Sequence, residues 1–241
     1  MGSFFAGIKA GTLSGIVYVG AIAVFSVLLL YALKQDVLGV ISQLNPTLCP
    51  QTPTVNGSAE DCFSSLVAVD VPFNAFVGFF IALLYAGIFG LYYDSFPGRG
   101  PTMKGAAMGA VVGFNLVFFG FGGYMFNTVS AAATVAVIIP MTLVFGYLLG
   151  KLYKKYTRVV AFSSQDEVLL KILVDGRDVT GKSRTFASTS NHRLRAEVSD
   201  DASFKEWSAT GGLSLEDQRS FDTVMEVNGD GALTAKVGRK Y

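Results

Sequence analysis

Four long apolar stretches constrain this chain more than any other feature of its sequence. They run from about 10 to 33, 71 to 93, 105 to 126 and 129 to 150. A helix that crosses a bilayer needs about 20 mostly apolar residues, and it satisfies its own backbone groups in hydrocarbon. The first stretch is too long for the apolar core of a signal peptide, so we expect a retained helix. We therefore expect a four-helix transmembrane bundle in residues 1–153.

Charge divides the chain into two unlike parts. Of the 18 acidic residues, 13 follow residue 160, although only 15% of the whole chain is charged. The acidic residues before that point are Asp36, Glu60, Asp61, Asp70 and Asp94. The pattern predicts a basic linker over residues 154–158 and a polar domain over 159–241, which at roughly 80 residues is large enough to fold alone.

The orientation in the membrane follows from the positive charges beside the four stretches. Cytoplasmic flanks carry an excess of Lys and Arg. One side has only Lys34, and the other side has Lys9, Arg99, Lys104, Lys151, Lys154, Lys155 and Arg158. We therefore predict a multi-pass protein of the cell membrane with both termini in the cytoplasm and the loop 34–70 outside it.

The external loop contains both cysteines of the chain, Cys49 and Cys62. Two cysteines confined to an extracytoplasmic loop predict a disulfide, and two free thiols are the alternative. Asn56 begins the glycosylation sequon Asn56-Gly57-Ser58, which fits the same side of the membrane.

The four stretches resemble two copies of one helical hairpin. "KAGTLSGIVYVG" at Lys9 matches "KGAAMGAVVGFN" at Lys104, and "IFGLYY" matches the start of "VFGYLLGKLY". Both hairpins would begin in the cytoplasm, so the repeats would be parallel, an arrangement found in transporters and channels. Convergence is the alternative, since small residues recur wherever helices pack closely.

Small and polar residues in the third stretch indicate helix packing. Gly105, Gly109 and Gly113 are four residues apart and share one helix face, where backbones can approach closely. A Gly-rich helix that lines a pore is the other interpretation. The Asn115 amide is expected to bond across to another helix, with a substrate contact as the alternative, and Pro140 predicts a kink.

Ionisable residues do not occur well inside any of the four stretches. Ion-coupled transport and intramembrane haem or zinc chemistry use such groups, so these functions are disfavoured. The basic residues Lys151, Lys154, Lys155 and Arg158 are a topology signal that can also bind anionic lipid headgroups.

The polar tail shows short alternating runs typical of β-strands. "EVLLKILVDG" predicts a strand that ends at Asp175-Gly176, and "HRLRAEVSDD" alternates apolar with charged residues. "SFDTVMEVNGDGALTAKVG" predicts two strands joined by a hairpin turn at Asn228 to Gly231. About seven strands in this length predict a small antiparallel β-sandwich, so the fold class is membrane α plus all-β.

Two segments of the tail carry a resemblance to a known kind of module. "LRAEVSDDASFKEWSATGG", with Phe204 and Trp207 three apart, and "TVMEVNGDGALTAKV" are similar to Ig-like, internalin-type β-repeats of bacterial and archaeal surface proteins. The resemblance covers residues 165–238 and implies a binding or spacer module without catalytic activity. The segment "YDSFPGRGPTMKGAAMGAVVG" resembles small polytopic archaeal proteins of unassigned role. Such repeats are usually extracellular, whereas the positive charges place this one inside.

Candidate sites in the tail are few. Phe204 and Trp207 are expected to anchor the β-domain core, with stacking on a ligand as the alternative. Ser183, Ser188 and Ser190 have no basic partner that would make a nucleophile, and His192 is expected to be solvated at a strand start. Asp200-Asp201 and "NGDG" do not match a calcium loop. We predict no catalytic residue, cofactor or metal.

These features predict a non-enzymatic membrane protein, an accessory or structural subunit whose β-module makes protein contacts. Its expected partners are the lipid bilayer and other membrane subunits or identical copies, and nucleic acid is not expected. A homo-oligomeric pore for ions or small solutes is the alternative. An enzyme that uses Asp94 and Arg99 at the membrane edge is a third and less favoured hypothesis.

Overall fold

A computed structural model of the 241-residue chain describes residues 3–44, 58–117 and 128–239. The α-helices of these residues are α1 Phe4–Ala32, α2 Lys34–Leu44, α3 Ala59–Ser65, α4 Val71–Tyr92, α5 Pro101–Asn115 and α6 Thr128–Tyr156. The strands are β1 Thr157–Ser164, β2 Leu170–Val174, β3 Arg177–Asp178, β4 Ser183–Ala187, β5 Ser190–Val198, β6 Ala202–Leu215 and β7 Asp222–Arg239.

The chain divides into two compact units. The helical unit comprises Ala10–Ala86 and Pro97–Lys151. The β-unit comprises the sheet and three helix ends, in Met1–Lys9, Gly87–Phe96 and Leu152–Tyr241. The last turn of α6 runs directly into β1 at Thr157, so residues 154–158 lie in these two elements.

Three helical segments of the described chain are long and apolar enough to cross a membrane. They are Phe4–Ala32, Ala59–Ser95 and Val135–Tyr156, which overlap the first, second and fourth apolar stretches of the sequence. The third stretch begins in α5, and its residues 118–126 lie outside the described part. The apolar helices are therefore confirmed, while a bundle with four spans remains a prediction.

Two short helices, α2 and α3, occupy the ends of the loop 34–70. Ser58 caps α3, since its hydroxyl accepts a hydrogen bond from the Asp61 backbone and the Asp61 side chain accepts one from the Ser58 backbone. Ile41 of α2 packs with Cys62 and Phe63 in a small apolar cluster. The segment that the sequence presented only as a loop is thus helical where it is described.

Equivalent residues of the two proposed hairpins occupy buried positions. One, five and nine residues after Lys9 lie Ala10, Ser14 and Tyr18, and after Lys104 lie Gly105, Gly109 and Gly113; all six are buried. In the second helices, aligned on Phe-Gly, the buried pairs are Ala82 with Ile138, Ala86 with Thr142, and Phe89 with Phe145. The shared register is what a duplication would leave, and it supports that prediction.

The strands form one curled, mixed sheet, a half-barrel, in the order β3-β2-β5-β7-β1-β4, with β6 on β7. The strand pairs are antiparallel except β1 and β7, which are parallel. The described tail therefore forms seven strands. The sequence predicted that all of them pair antiparallel, and this prediction is wrong for β1 and β7. β5 and β1 both pair with β7, so one long strand holds the two parts of the sheet together.

The predicted hairpin turn at Asn228 to Gly231 is wrong. β7 continues through these residues as one strand, and within it Gly231 lies opposite Gly211 of a second glycine-rich segment in β6. A Cβ atom at Gly212 would collide with the backbone of Gly229, so the two strands approach closely only because these residues have no side chain. The register shifts between Gly211 and Leu213, as expected of a bulge that bends a long strand pair.

The other predicted turn is confirmed. Asp175 and Gly176 both have positive φ, 50° and 77°, and join β2 to β3 in a two-residue hairpin. This conformation matches the right-handed twist of the flanking strands.

The inner face of the sheet carries the core of the β-unit. Leu194 and Ala196 alternate inward along β5 as their spacing predicted, and they meet residues from all the long strands. The largest of the buried side chains is Trp207, which is 1% exposed. Its indole N–H donates to the Ser220 carbonyl at 2.8 Å, and its ring lies 5.0 Å from that of Phe204.

Candidate functional site

The three glycines of α5 face α6 within the same chain. A Cβ atom on Gly105 would collide with the Gly146 carbonyl, and one on Gly109 with the Thr142 carbonyl. α6 presents Thr142, Gly146 and Gly150 at the same spacing of four, so both helices contribute a face of small residues. This reciprocal contact allows close backbone approach, and dispersion forces can stabilise it in lipid.

Other residues singled out in the helical part have simpler surroundings. The Asn115 side-chain amide donates to the Val111 carbonyl at 3.0 Å, a bond within α5 rather than to another helix. Pro140 lies inside α6. Cys62 is buried at 5% exposure, but Cys49 and Asn56 lie outside the described residues. The disulfide and the glycosylation therefore stay predictions.

The basic residues at the end of α6 do not have equivalent roles. Lys151, Lys154 and Lys155 have exposed side chains. Arg158 donates through Nη1 to the carbonyls of Lys155 and Thr157, at 3.2 and 2.8 Å, and so caps the C-terminus of the helix. The three lysines are therefore better placed than Arg158 to bind anionic headgroups.

The ends of three helices meet around the Tyr153 side chain in the β-unit. The Tyr153 hydroxyl accepts a hydrogen bond from the Ser3 backbone N–H at 2.9 Å, and it lies 3.3 Å from the Gly90 carbonyl, to which it donates. The ring is fully buried, 5.3 Å from Phe89 and 4.7 Å from Tyr93. One side chain thus connects the start of α1, the end of α4 and the end of α6.

A polar contact then connects the end of α4 to the sheet. The Thr185 hydroxyl of β4 donates to Asp94 Oδ1 at 3.1 Å, and Arg184 Nη1 lies 3.9 Å from Oδ2. Asp94 immediately follows Tyr93, so the aromatic cluster and the sheet contact are adjacent. We name the residues Ser3, Gly90, Asp94, Tyr153 and Thr185 the junction.

Replacing Tyr153 with phenylalanine should weaken the junction without removing its apolar packing. The change removes one donor and one acceptor, each typically worth about 0.5–1.5 kcal/mol, so we expect a loss of about 1–3 kcal/mol in unfolding free energy. Thermal unfolding of the detergent-solubilised chain measures it. Tyr147→Phe, at a residue of α6 with 48% exposure, is the matched control and should leave the unfolding temperature unchanged. Equal effects of the two variants would contradict the role given to the Tyr153 hydroxyl.

At the end of the sheet away from α6 lies a groove of about 490 Å³. β1 leaves α6 at Thr157 and ends at Ser164, and the turn that follows contacts the β5–β6 turn through the Ser199 N–H and the Leu169 carbonyl. The groove lies beside this turn, between the end of β5 and the segment 216–221. Its walls carry apolar and polar groups: Ala196, Val198, Ala202, Phe204, Phe221, Ser199, Asp200, Ser203, Arg219 and Ser220. Phe221 is 54% exposed, so its aromatic ring is accessible at this surface.

The segment that forms one wall of the groove is held by backbone hydrogen bonds. Gln218 and Phe221 accept from the N–H groups of Trp207 and Ala196, each at 2.8 Å. The wall is therefore fixed to both β5 and β6.

His192 is not the solvated residue that the sequence predicted. Its Nδ1 lies 2.7 Å from Asp175 Oδ2, its Nε2 lies 2.8 Å from the Ser190 hydroxyl, and its ring is 4.5 Å from Phe186. Ser190 therefore has a basic partner, contrary to the prediction from the sequence. The sequence contains one weak indication of this contact, because residues two apart on a strand, such as Ser190 and His192, share a face.

The order of contacts in this cluster is that of a Ser-His-Asp triad, but its surroundings do not favour acyl transfer. The Ser190 hydroxyl is directed to the Ala187 carbonyl at 2.6 Å. An oxyanion needs backbone donors near the nucleophile. The adjacent N–H groups of Ser188 and Thr189 already donate to the carbonyls of Tyr156 and Val227.

Elsewhere on the sheet the charged groups form exposed cross-strand pairs. Arg193 binds both carboxylate oxygens of Asp222, at 2.9 and 2.6 Å, and holds the pKa of that carboxyl below its usual value. Lys236 similarly lowers the pKa of Glu206. Within the described ranges, no three His, Cys, Asp or Glu residues lie close enough to hold a metal ion.

Comparison of the chain with protein-family models, with curated proteins and with solved structures found no match. The resemblance to Ig-like β-repeats therefore remains a prediction from the quoted residues. The function has to be inferred from the geometry of the chain itself.

Proposed function

We propose that this chain is a non-enzymatic subunit of a membrane complex, in which the helices are embedded in the bilayer and the β-unit contacts a partner protein. The observation that carries the proposal is the junction. Tyr153 joins three helix ends, and Asp94 joins one of them to β4. A β-module attached in this way moves with the helix ends, unlike a module on a flexible linker.

The surface of the helices supports a bilayer as their surroundings. α1 and α4 expose large apolar side chains along much of their length, including Ile16, Phe25, Phe76 and Phe80, each more than 40% exposed. In water such surfaces would associate, and in lipid they are at their most stable.

The cytoplasmic side is proposed for the β-unit. Lys154 and Lys155 are exposed in the last turn of α6, directly before the sheet begins. Lysines at this position attract anionic headgroups of the inner leaflet, at about 1 kcal/mol each. The external loop with Cys49, Asn56 and Cys62 would then be on the opposite side.

The groove at the far end of the sheet is the proposed contact surface, and its proposed occupant is an extended segment of a partner protein. An exposed Phe221, a half-buried Phe204 and Arg219 offer apolar contact together with a charge. Aromatic and Arg side chains contribute most to binding energy at protein interfaces.

One observation that favoured the alternative, a homo-oligomeric pore, no longer supports it. The small-residue face of α5, which could have lined a pore, is filled by α6 of the same chain. A pore would therefore need another face, and the accessory subunit is the better supported function.

The decisive experiment is the native mass and composition of the protein, gently extracted from its own membranes. We expect foreign chains at a fixed ratio to the wild type, and their loss in Phe221→Ser. Val224→Ser, which removes a partly exposed apolar side chain outside the groove, is the matched control and should retain them. If Phe221→Ser keeps the same partners, the groove is not the contact surface. A ring of identical copies without foreign chains would instead favour the pore.

A further inference from the structure

The ends of α1, α4 and α6 reach a common level at the junction. The Tyr153 hydroxyl lies 2.9 Å from the Ser3 N–H and 3.3 Å from the Gly90 carbonyl. An α-helix rises about 1.5 Å per residue, so residues two positions from Ser3 or Gly90 lie within one helical turn of that level. The side chains of these neighbouring residues therefore indicate what surrounds the three helix ends.

Two aromatic side chains are exposed at this level. Phe5 of α1 is 76% exposed, and Tyr92 of α4 is 60% exposed. Tyrosine is enriched where hydrocarbon meets water, because its ring is apolar and its hydroxyl can bind headgroups. α1 enters the bilayer beyond Ser3, so Phe5 lies on the hydrocarbon side of the same boundary. The two rings indicate that a bilayer surface crosses the helices near the junction.

Lysine side chains are directed to the same level from both sides. In an α-helix the side chains lean toward the N-terminus of the helix. α1 begins at this end, so the half-buried Lys9 leans back toward the junction. α6 ends here, so the exposed Lys154 and Lys155 lean toward the bilayer. Long flexible stems allow the three ammonium groups to reach one plane.

The acidic residue of these helix ends already has partners. Asp94 carries the single carboxylate among their described residues, and it lies in the short turn that follows α4. Thr185 donates to it, and Arg184 lies 3.9 Å away, so β4 is held directly beyond this level. The lysines therefore give the level a net positive charge, which is complementary to anionic lipid headgroups.

We propose that the phosphate plane of an anionic leaflet crosses the chain at the junction. Lys9, Lys154 and Lys155 bind the lipid phosphates there, with Phe5 and Tyr92 beside them. The sheet, which the end of α4 holds through β4, then rests directly on the headgroups. This inference deepens the proposed function by placing the bilayer surface, and it rests on the embedding of the helices rather than on a partner protein.

Lipid selectivity tests the role of the lysines. The full chain is reconstituted in phosphatidylcholine vesicles with a trace of spin-labelled phosphatidylglycerol or spin-labelled phosphatidylcholine, and the two bound fractions are compared. We expect the wild type to favour phosphatidylglycerol. Changing Lys154→Gln and Lys155→Gln together should lower this preference about fivefold or more, as a loss of about 1 kcal/mol per lysine predicts. Lys205→Gln, at an exposed lysine of β6, is the matched control and should keep the preference.

Fluorescence quenching tests the level of the bilayer surface. Tyr92→Trp is compared with Phe221→Trp, at the far end of the sheet, in vesicles that carry a nitroxide quencher on the lipid headgroups. Trp207 is buried in the sheet core and gives both variants the same background, which the wild type measures. We expect a loss of emission in Tyr92→Trp and no loss beyond the background in Phe221→Trp.

Three results would overturn the proposal: equal quenching of the two tryptophan variants, no lipid preference in the wild type, or a full preference in the double lysine variant. The vesicles contain this chain alone, so these results are independent of partner proteins. The expected lipid preference, together with a native extract that lacks foreign chains, would contradict the subunit function and leave the lipid surface in place.

Discussion

Gly109→Leu should prevent α5 from packing against α6 and leave little folded protein. A Cβ atom at this position would collide with the Thr142 carbonyl and lie 3.1 Å from the Gly146 Cα. Backbone atoms cannot move away as a flexible side chain can, so the helices must separate along the whole glycine contact. Overpacking typically costs about 1–3 kcal/mol and occasionally more, and a collision with backbone atoms places this variant at the upper end.

The measurement is the yield of monodisperse protein after detergent extraction, together with the temperature at which helical circular dichroism is lost. Gly20→Leu is the matched control, since a Cβ atom at Gly20 of α1 meets nothing within 4 Å. We expect near-normal yield for Gly20→Leu and a severe loss for Gly109→Leu. Similar yields of the two variants would show that the glycine contact does not hold the helices together.

Trp207→Ala should unfold the β-unit while the helical unit keeps its structure. The side chain is the largest in the sheet core, it is 1% exposed, and its N–H donates to Ser220 in the wall of the groove. Removing a buried tryptophan leaves a cavity that the surroundings fill only in part, at a cost of about 3–5 kcal/mol. A small unit has little stability in excess of this amount.

Limited proteolysis is the suitable measurement, because the variant has no tryptophan to observe. We expect rapid cleavage after residue 157 and a protected helical fragment, at protease concentrations that leave the wild type intact. Phe221→Ala removes an aromatic ring that is 54% exposed and should remain resistant. Resistance of Trp207→Ala equal to the wild type would mean that the core of the sheet does not depend on this residue.

The glycine contact changes how an assembly defect has to be interpreted. The spacing of Gly105, Gly109 and Gly113 predicted a helix contact but could not say with which helix. Because α6 of the same chain fills that face, a smaller complex in a glycine variant would report misfolding rather than a lost subunit contact. Partner contacts are better tested at Phe221, which is 54% exposed.

Several elements could be predicted because they depend on local properties. α1, α4 and α6 follow from runs of apolar residues long enough to span hydrocarbon. Leu194 and Ala196 face inward because strand side chains alternate. The Asp175-Gly176 turn follows from residues that adopt positive φ easily.

Other features could not be predicted from the sequence because they depend on pairing between distant segments. Asn228 to Gly231 has the composition of a hairpin turn, yet Gly211 and Gly212 lie opposite and the strand continues. The parallel pairing of β1 with β7 brings together residues about 70 positions apart, which no alternation pattern encodes. Residues 45–57 and 118–127 lie outside the described part, so Cys49 and Asn56 stay predictions.

The amino-acid sequence by itself determined that this chain has apolar helices followed by a β-domain, because hydropathy and alternation act over a few neighbouring residues. Only the tertiary structure decided what those elements contact. It placed the glycines of α5 on α6, joined three helix ends through Tyr153, and brought Asp175 to His192 through the register in which Val174 pairs with Leu194. Register and helix contacts depend on the packing of the whole unit, where one residue's slip moves every side chain to the other face.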